Sequence, residues 1–299
     1  MNTLIIGTGA LATLFAARLT EAGHSVSMLG TWQNGLSALR KEGARLVDAD
    51  GREHAFPVHA TNDPREVDGA KFALVLVKAW QTERAAHQLA NCLAQDGLAV
   101  TLQNGLGNRE TLIQSLGPAR VALGVTMAGA TLLGPGLVRA GGEGTISLER
   151  NQAIGPVEAA LKSAKFNVQI VEDGQSLMWG KLVINAAINP LTALLRVPNG
   201  ELLQRPAARG LMALLARETA AVAQAEQVHL PFENPIAAVE EVARKTAANH
   251  SSMFQDAQRG APTEIDAICG AVTKRGEQHS IPTPINHACW HLVRALGSA

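Results

Sequence analysis

The chain contains no tyrosine, and aromatic residues make up only 3% of its 299 positions. Proteins that stack single-stranded bases on their surface depend on such rings, so that function is not expected. An excess of one charge is lacking too: 26 basic residues face 26 acidic ones. Nothing here favours nucleic acid or an anionic membrane surface as a partner. Cysteine is scarce. Cys92, Cys269 and Cys289 are odd in number and lack ligand-type spacing. They predict reduced thiols, no metal site and a cytoplasmic setting. No apolar run reaches membrane-spanning length without a charge or glycine. Met1-Asn2-Thr3 leads straight into an apolar strand with no basic segment before it, so no signal peptide is expected. Low-complexity tracts and internal repeats are missing as well.

What is abundant is apolar material, at 46% of the chain. With this length it predicts two packed domains. Residues 3–6 read as a buried strand, and Gly7-Thr8-Gly9-Ala10-Leu11-Ala12 follows as G-x-G-x-x-A. Leu11, Leu14, Phe15 and Leu19 then recur at helical spacing, Gly23 ends that helix, and residues 25–29 read as a second strand. Strand, glycine turn, helix and strand in this order form a dinucleotide fingerprint. Gly7 permits the tight turn, Gly9 lets backbone approach a pyrophosphate, and Ala12 allows close helix–strand packing. The helix N-terminus would receive the phosphates. A glycine turn with no ligand is the plain alternative.

Further strands are expected at residues 72–77, 98–102, 121–125 and 145–148, with 167–171 at the sheet's edge. Lys78 and Asn104 then fall at carboxyl ends of strands, where open α/β sheets bind ligands. After Asp173-Gly174 the strand signals stop. Helices are expected at residues 176–195, 206–227, 235–249, 264–279 and 284–296. The fold class is therefore α/β: a Rossmann-type dinucleotide-binding domain over residues 1–172, then an all-helical domain over 173–299 for substrate and catalysis.

The run Trp179-Gly180-Lys181-Leu182-Val183-Ile184-Asn185-Ala186-Ala187-Ile188-Asn189 opens that second domain. Lys181, Asn185 and Asn189 recur at intervals of four, on one helix face. The face offers a cationic proton donor and two amides within an apolar run. Such a face suits a site that holds and protonates a small polar substrate. A rim lysine with internally satisfied asparagines would give the same pattern.

Several motifs together resemble the ketopantoate reductase (2-dehydropantoate 2-reductase) family. They are Gly7-Thr8-Gly9-Ala10-Leu11, Val77-Lys78-Ala79-Trp80-Gln81, Gln103-Asn104-Gly105, Lys181-Leu182 with Asn185, Asn189-Pro190-Leu191-Thr192-Ala193, Pro198-Asn199-Gly200-Glu201-Leu202, Asn249-His250-Ser251-Ser252-Met253 and Thr263-Glu264-Ile265-Asp266. The resemblance spans nearly the whole chain. It implies NADPH-dependent reduction of 2-dehydropantoate to (R)-pantoate, on the route to pantothenate and coenzyme A. It implies Lys181 as general acid and Glu264 as its acidic partner on the substrate. Asn185, Asn189, Asn199 and Ser252 match substrate-binding positions. Asn104 matches a group near the nicotinamide ribose that also borders the substrate, and Lys78 one near the adenine-side phosphate.

The sequence departs from the family in two respects, the second being the unusual glycine richness from Gly129 to Gly144. An arginine that reads the 2′-phosphate is missing after the second strand, where Leu29-Gly30-Thr31-Trp32 stands. No acid occurs between Val26 and Leu36 either, so the ribose-binding carboxylate of an NAD site is absent. Thr31, backbone N–H groups around Gly30, and Lys78 could serve a phosphate, which makes NADP(H) the expected cofactor. Reduction of another branched 2-keto acid, or NADP(H) sensing without turnover, are the other readings. The glycine-rich segment from Gly129 to Gly144 has no assigned contacts. Apolar runs such as Leu211-Met212-Ala213-Leu214-Leu215 suit either core or pairing in a homodimer.

Overall fold

The computed structural model describes residues 2–142 and 144–297. The chain forms two compact units. The first holds residues 1–103 and 108–174. The second holds residues 175–299 together with the short loop Asn104–Gly107. That loop interrupts the first unit in sequence and packs with the second.

The strands of the first unit are β1 (Asn2–Ile6), β2 (Ser25–Leu29), β3 (Ala44–Val47), β4 (Glu53–Phe56), β5 (His59–Thr61), β6 (Ala70–Val75), β7 (Leu93–Thr101), β8 (Val121–Thr126), β9 (Ala130–Gly134), β10 (Leu137–Ala140), β11 (Ile146–Glu149) and β12 (Val168–Val171). Its helices are α1 (Ala10–Glu21), α2 (Gln33–Glu42), α3 (Thr82–Cys92), α4 (Asn108–Leu116) and α5 (Gly155–Ser163). The main sheet runs β12-β11-β8-β7-β6-β1-β2-β5. From β5 to β8 every pairing is parallel. Counting only these six strands in chain order gives 3-2-1-4-5-6, the order of dinucleotide-binding sheets. The order reverses between β1 and β6, so the ligand crevice belongs at the carboxyl ends of those strands. One face of the sheet packs Phe15, Leu19, Leu98, Val100 and Leu161 into a core. The other packs Leu4, Ile6, Leu89 and Leu112. Strands covered on both faces read as continuous apolar runs, which is why β1, β6 and β8 are visible in sequence.

A second, four-stranded sheet, β4-β3-β10-β9, was not expected. It packs against α1. Most of the glycine-rich segment from Gly129 to Gly144 forms its β9–β10 hairpin, turning at Gly136 with φ +66°; Glu143 lies outside the described residues. Gly141 donates to the Gly129 carbonyl at 2.8 Å, and a Cβ on Gly141 would lie 3.1 Å from the Gly129 backbone. These strands are short and partly exposed, so their apolar pattern is weak.

The second unit is helical: α6 (Gly174–Leu195), α7 (Glu201–Gln204), α8 (Pro206–Ala225), α9 (Pro235–Lys245), α10 (Ser252–Gln258), α11 (Cys269–Gln278) and α12 (Pro284–Leu296). Leu182, Val183, Leu215, Val272 and Val293 meet in its core. Pro190 sits inside α6 and cannot donate to the Ala186 carbonyl, four residues back. The Cys269 thiol lies 3.9 Å from that carbonyl and donates to it instead. Burial raises the Cys269 pKa well above the ordinary thiol value, so this cysteine stays an inert donor. Glu218 of α8 accepts from the Ile285 and Asn286 N–H groups, each at 2.9 Å, and so caps α12. Two expected helices are shorter than the sequence suggested. The one expected over 235–249 ends at Lys245, and beyond it the Ala247 and Asn249 carbonyls accept from the Gly200 and Asn199 N–H groups. The one expected over 264–279 begins only at Cys269.

Candidate active site

In the first unit the carboxyl ends of β2, β1 and β6 are held level. Ile6 pairs with Leu29 on one side and Val75 on the other. Just beyond, Gly7 donates to the Leu29 carbonyl at 2.8 Å and Leu76 donates to the Ile6 carbonyl at 2.9 Å. Gly7 has φ +130°, and a Cβ there would lie 3.2 Å from the Leu76 backbone. The positive φ calls for glycine, and the close backbone leaves a Cβ little room. Gly9 is different. It caps α1 with φ −86°, a conformation open to any residue, yet a Cβ there would point into open space. The first helical bond runs from the Thr13 N–H to the Gly9 carbonyl. The amides of Ala10, Leu11 and Ala12 therefore precede the helical ladder, and no acid lies in the first turn. A bare glycine beside orphan amides at a positive helix end fits a pyrophosphate. Thr8 is buried against Gly30, where a Cβ would come within 2.8 Å of its methyl.

The groups expected to read a 2′-phosphate are divided. Thr31 is exposed after β2 and beside α2, whose first turn carries no acid. The Gly30 N–H, in contrast, is committed to the Thr61 carbonyl at 3.0 Å, so it is not a phosphate donor. Lys78 is half-buried after β6, on the far side of β1 from β2. Gln103, at the end of β7, donates to the Val77 carbonyl at 3.0 Å and to Thr82 Oγ1 at 2.8 Å. Thr82 in turn donates to Asn108 Oδ1 at 2.7 Å. This buried network ties the mouth of the sheet together. Nothing in the local sequence assigns Gln103 this task.

In the second unit Lys181 is half-buried on α6. Loss of hydration lowers its pKa to about 8, while the Glu264 carboxylate pulls in the opposite direction. Glu264 is buried, 6% exposed, in a turn ahead of α11. Asn104 Nδ2 donates to Glu264 Oε2 at 3.1 Å. Gly105, at φ +83°, lets the loop lie on Ala267, whose carbonyl accepts from the Leu106 N–H at 2.9 Å. A helix starting at Glu264 would have consumed that carbonyl. Asn104, Lys181 and Glu264, far apart in the chain, are thus gathered around one carboxylate.

The remaining polar candidates divide by exposure. Asn185 is half-buried one turn beyond Lys181, and Asn189 is buried one turn further. Asn199 is buried and donates to Thr246 Oγ1 at 2.8 Å, tying the loop at Pro198 to the end of α9. Ser252 is exposed in the first turn of α10. Its neighbour Ser251 caps that helix through the Phe254 N–H at 3.1 Å and meets Thr192 Oγ1 at 2.7 Å. Ser251 and Thr192 therefore brace α6 against α10, a pairing invisible without the fold.

Two family models cover the chain. Residues 3–152 match "Ketopantoate reductase PanE/ApbA", and residues 173–297 match "Ketopantoate reductase PanE/ApbA C terminal". The chain belongs to the ketopantoate reductase family. Among its relatives is the 2-dehydropantoate 2-reductase of Archaeoglobus fulgidus, 36% identical, covering 98% of this chain and 97% of that one. The corresponding protein of Halobacterium salinarum is 34% identical and covers 98% of both chains. A solved family member from Ralstonia eutropha is 32% identical, with a TM-score of 0.92 over 99% of this chain and 98% of that one. D-mandelate dehydrogenase, solved with NADH, is 25% identical, with a TM-score of 0.88 over 99% and 98%.

As a ketopantoate reductase family member the protein is an NAD(P)H-dependent oxidoreductase acting on CH–OH groups. The observed geometry is suited to such chemistry. The first unit offers backbone donors and room for phosphates. The second offers a proton whose release is made easier by burial and kept within reach by one carboxylate.

Proposed function

We propose that the protein reduces 2-dehydropantoate to (R)-pantoate with NADPH, in the cytoplasm, on the route to pantothenate and coenzyme A. The observation that carries this reading is Lys181 itself: half-buried, with its pKa brought down to about 8, and coupled to a buried Glu264 that Asn104 holds. A bound reduced nicotinamide supplies the hydride. Its amide-rich cradle is the Gly7–Ala12 turn, with Thr31 and Lys78 toward the 2′-phosphate. As the substrate's keto carbon is reduced, negative charge gathers on its oxygen. The Lys181 ammonium stabilises that charge and then gives its Nζ proton to the oxygen. A neutral amine remains and regains a proton from water. Glu264 keeps the ammonium populated near neutral pH and accepts from a substrate hydroxyl. Asn104 positions that carboxylate. Asn185, Asn189 and Ser252 bind the substrate's carboxylate and hydroxyls without adding charge, and Asn199 shapes the loop beside them.

A second reading is reduction of another 2-keto acid on the same scaffold. The likeness to D-mandelate dehydrogenase favours it. Sensing without turnover fits less well, since a sensor needs neither a proton donor nor its partner. The test is a panel of ketopantoate, pyruvate, 2-ketoisovalerate and benzoylformate, each with NADPH and NADH. The largest kcat/KM is expected for ketopantoate with NADPH. A higher value for any other acid would transfer the assignment to that acid, and no oxidation with any of them would leave sensing.

A further inference from the structure

The chain has four tryptophans. Trp179 is buried in the helical core, and Trp290 donates its indole N–H to Asp266 at 2.7 Å. The other two are exposed: Trp32 at 37% and Trp80 at 52%. Both belong to the first unit and to the same end of its main sheet. Trp32 caps α2, three residues beyond the end of β2. Trp80 stands in the 3-10 turn Ala79–Gln81, shortly beyond the end of β6. β2 and β6 are the two neighbours of β1, and Ile6 pairs with the last residue of each. One exposed indole therefore leaves the sheet on each side of the Gly7–Ala12 turn.

Trp32 also has a prepared seat. A Cβ on Gly35 would lie 2.3 Å from its Cε3 and 2.9 Å from its Cζ3, so the six-membered ring rests on the Gly35 backbone. Gly35 lies within α2 and not in the left-handed region. The backbone does not demand glycine there, and glycine weakens a helix. What glycine provides is room for the indole. An indole fixed in this way, yet covering no core, is a flat surface that has already lost its rotamer freedom.

We propose that Trp32 and Trp80 form the adenine platform of the cofactor site, with Trp32 as the principal stacking surface. This rests on the dinucleotide reading of the Gly7–Ala12 turn. Ligands of such sheets lie beyond the carboxyl ends at the order reversal. With phosphates at the α1 N-terminus, a nucleobase has these two rings within its side of the crevice. Aromatic stacking also answers the missing arginine after β2. A guanidinium there would bind phosphate and present a flat cation, whereas an indole presents only the flat face. The platform accordingly strengthens binding of any adenine nucleotide and does not distinguish a 2′-phosphate from a hydroxyl.

Calorimetric binding of 2′-phospho-ADP-ribose, ADP-ribose and nicotinamide mononucleotide, which lacks adenine, tests this. Trp32→Ala should weaken both adenine ligands about 10- to 100-fold, in line with the worth of one base–aromatic stack. Trp80→Ala should weaken them less, and Trp32→Phe should restore most of the loss. Gly35→Ala should mimic Trp32→Ala by displacing the ring, without lowering Tm. Nicotinamide mononucleotide should bind every variant alike. Equal affinity of Trp32→Ala and wild type for ADP-ribose would overturn the platform and leave the dinucleotide assignment standing. An equal loss for nicotinamide mononucleotide would overturn it too, because Trp32 would then merely support the fold. No binding of either adenine ligand by wild type would overturn the dinucleotide assignment and the platform together.

Discussion

The two units use opposite materials. In the first, the candidate site is made of backbone and of side chains left out: Gly7 for the turn, Gly9 for open space, and three amides ahead of the α1 ladder. In the second it is made of polar side chains brought in from water: Lys181, Glu264 and Asn104. Phosphates are large, permanently charged ligands that oriented N–H dipoles can hold without any titrating group. Proton transfer needs a group whose pKa has been moved toward the working pH, and only burial among selected neighbours does that. The difference predicts that damage to the second unit appears in turnover and damage to the first in cofactor affinity.

The largest effect belongs to the second unit. Lys181→Ala should lower kcat by roughly 10²–10⁴-fold, the range for loss of a general acid. Binding of NADPH, followed by its fluorescence, should change by less than a few-fold. Near-normal turnover, or loss of NADPH binding on the same scale, would break the division between the units.

Next come two glycines two positions apart on one turn, with different fates. Gly9→Ala leaves the backbone unstrained and meets nothing within 4 Å, so it should raise the KM for NADPH about 10-fold by intruding on the pyrophosphate, with Tm unchanged. Gly7→Ala puts a Cβ into a left-handed residue pressed against Leu76, and should cost roughly 1–3 kcal/mol of stability. Thermal melts of both variants beside NADPH titrations would settle the contrast. A Tm loss in Gly9→Ala would show that its open space belongs to the fold and not to a ligand.

These contrasts track what was readable in the sequence. The Gly7–Ala12 turn is contiguous, and its strands are apolar throughout, so the order of elements from β1 through α1 to β2 could be read directly. The start of α12 at Pro284 was equally plain, because proline suits a first helical turn. The second sheet was hidden, since its strands are short and one of its ties, Arg45 to the Pro135 carbonyl, spans 90 residues. The Glu264 turn was hidden for a related reason. Its helical pattern is real locally, but a partner 160 residues away, Asn104, and the demand of Leu106 for the Ala267 carbonyl decide the backbone there. Local pattern is overridden where a distant loop needs the carbonyls.

The coupling of Lys181 to Glu264 yields a pH prediction. Lys181 acts as an acid only while protonated, so kcat should fall as pH rises through about 8. The Glu264 charge favours the ammonium and therefore holds that limb up. Glu264→Gln removes the charge while keeping an acceptor for Asn104, so the alkaline limb should move to lower pH, with a higher KM for the keto acid. A limb that stays in place would mean that Glu264 positions substrate without acting on the lysine. A limb that moves upward would reverse the sign and sink the pairing.

The smallest expected effect concerns the first unit alone. Lys78 leaves β6, whereas the ribose 2′-position belongs to the end of β2, on the other side of β1. No arginine fork stands after β2, and the Gly30 N–H is already taken by Thr61. Thr31, the start of α2 and one point charge are what remain to favour a phosphate. A single lysine discriminates far less than a bidentate guanidinium. The ratio of kcat/KM for NADPH to that for NADH should therefore favour NADPH only modestly, and Lys78→Ala should reduce it by about 2- to 10-fold. Because such a charge is partly screened over a Debye length of about 10 Å at 0.1 M salt, the reduction should shrink as salt rises. Trp32→Ala, by the stacking argument, should lower both efficiencies and leave the ratio where it was. A wild-type ratio in favour of NADH would remove NADP(H) as the preferred cofactor. A ratio that favours NADPH and ignores Lys78→Ala would shift the phosphate contact to Thr31 and the α2 N-terminus, which Thr31→Val would then expose.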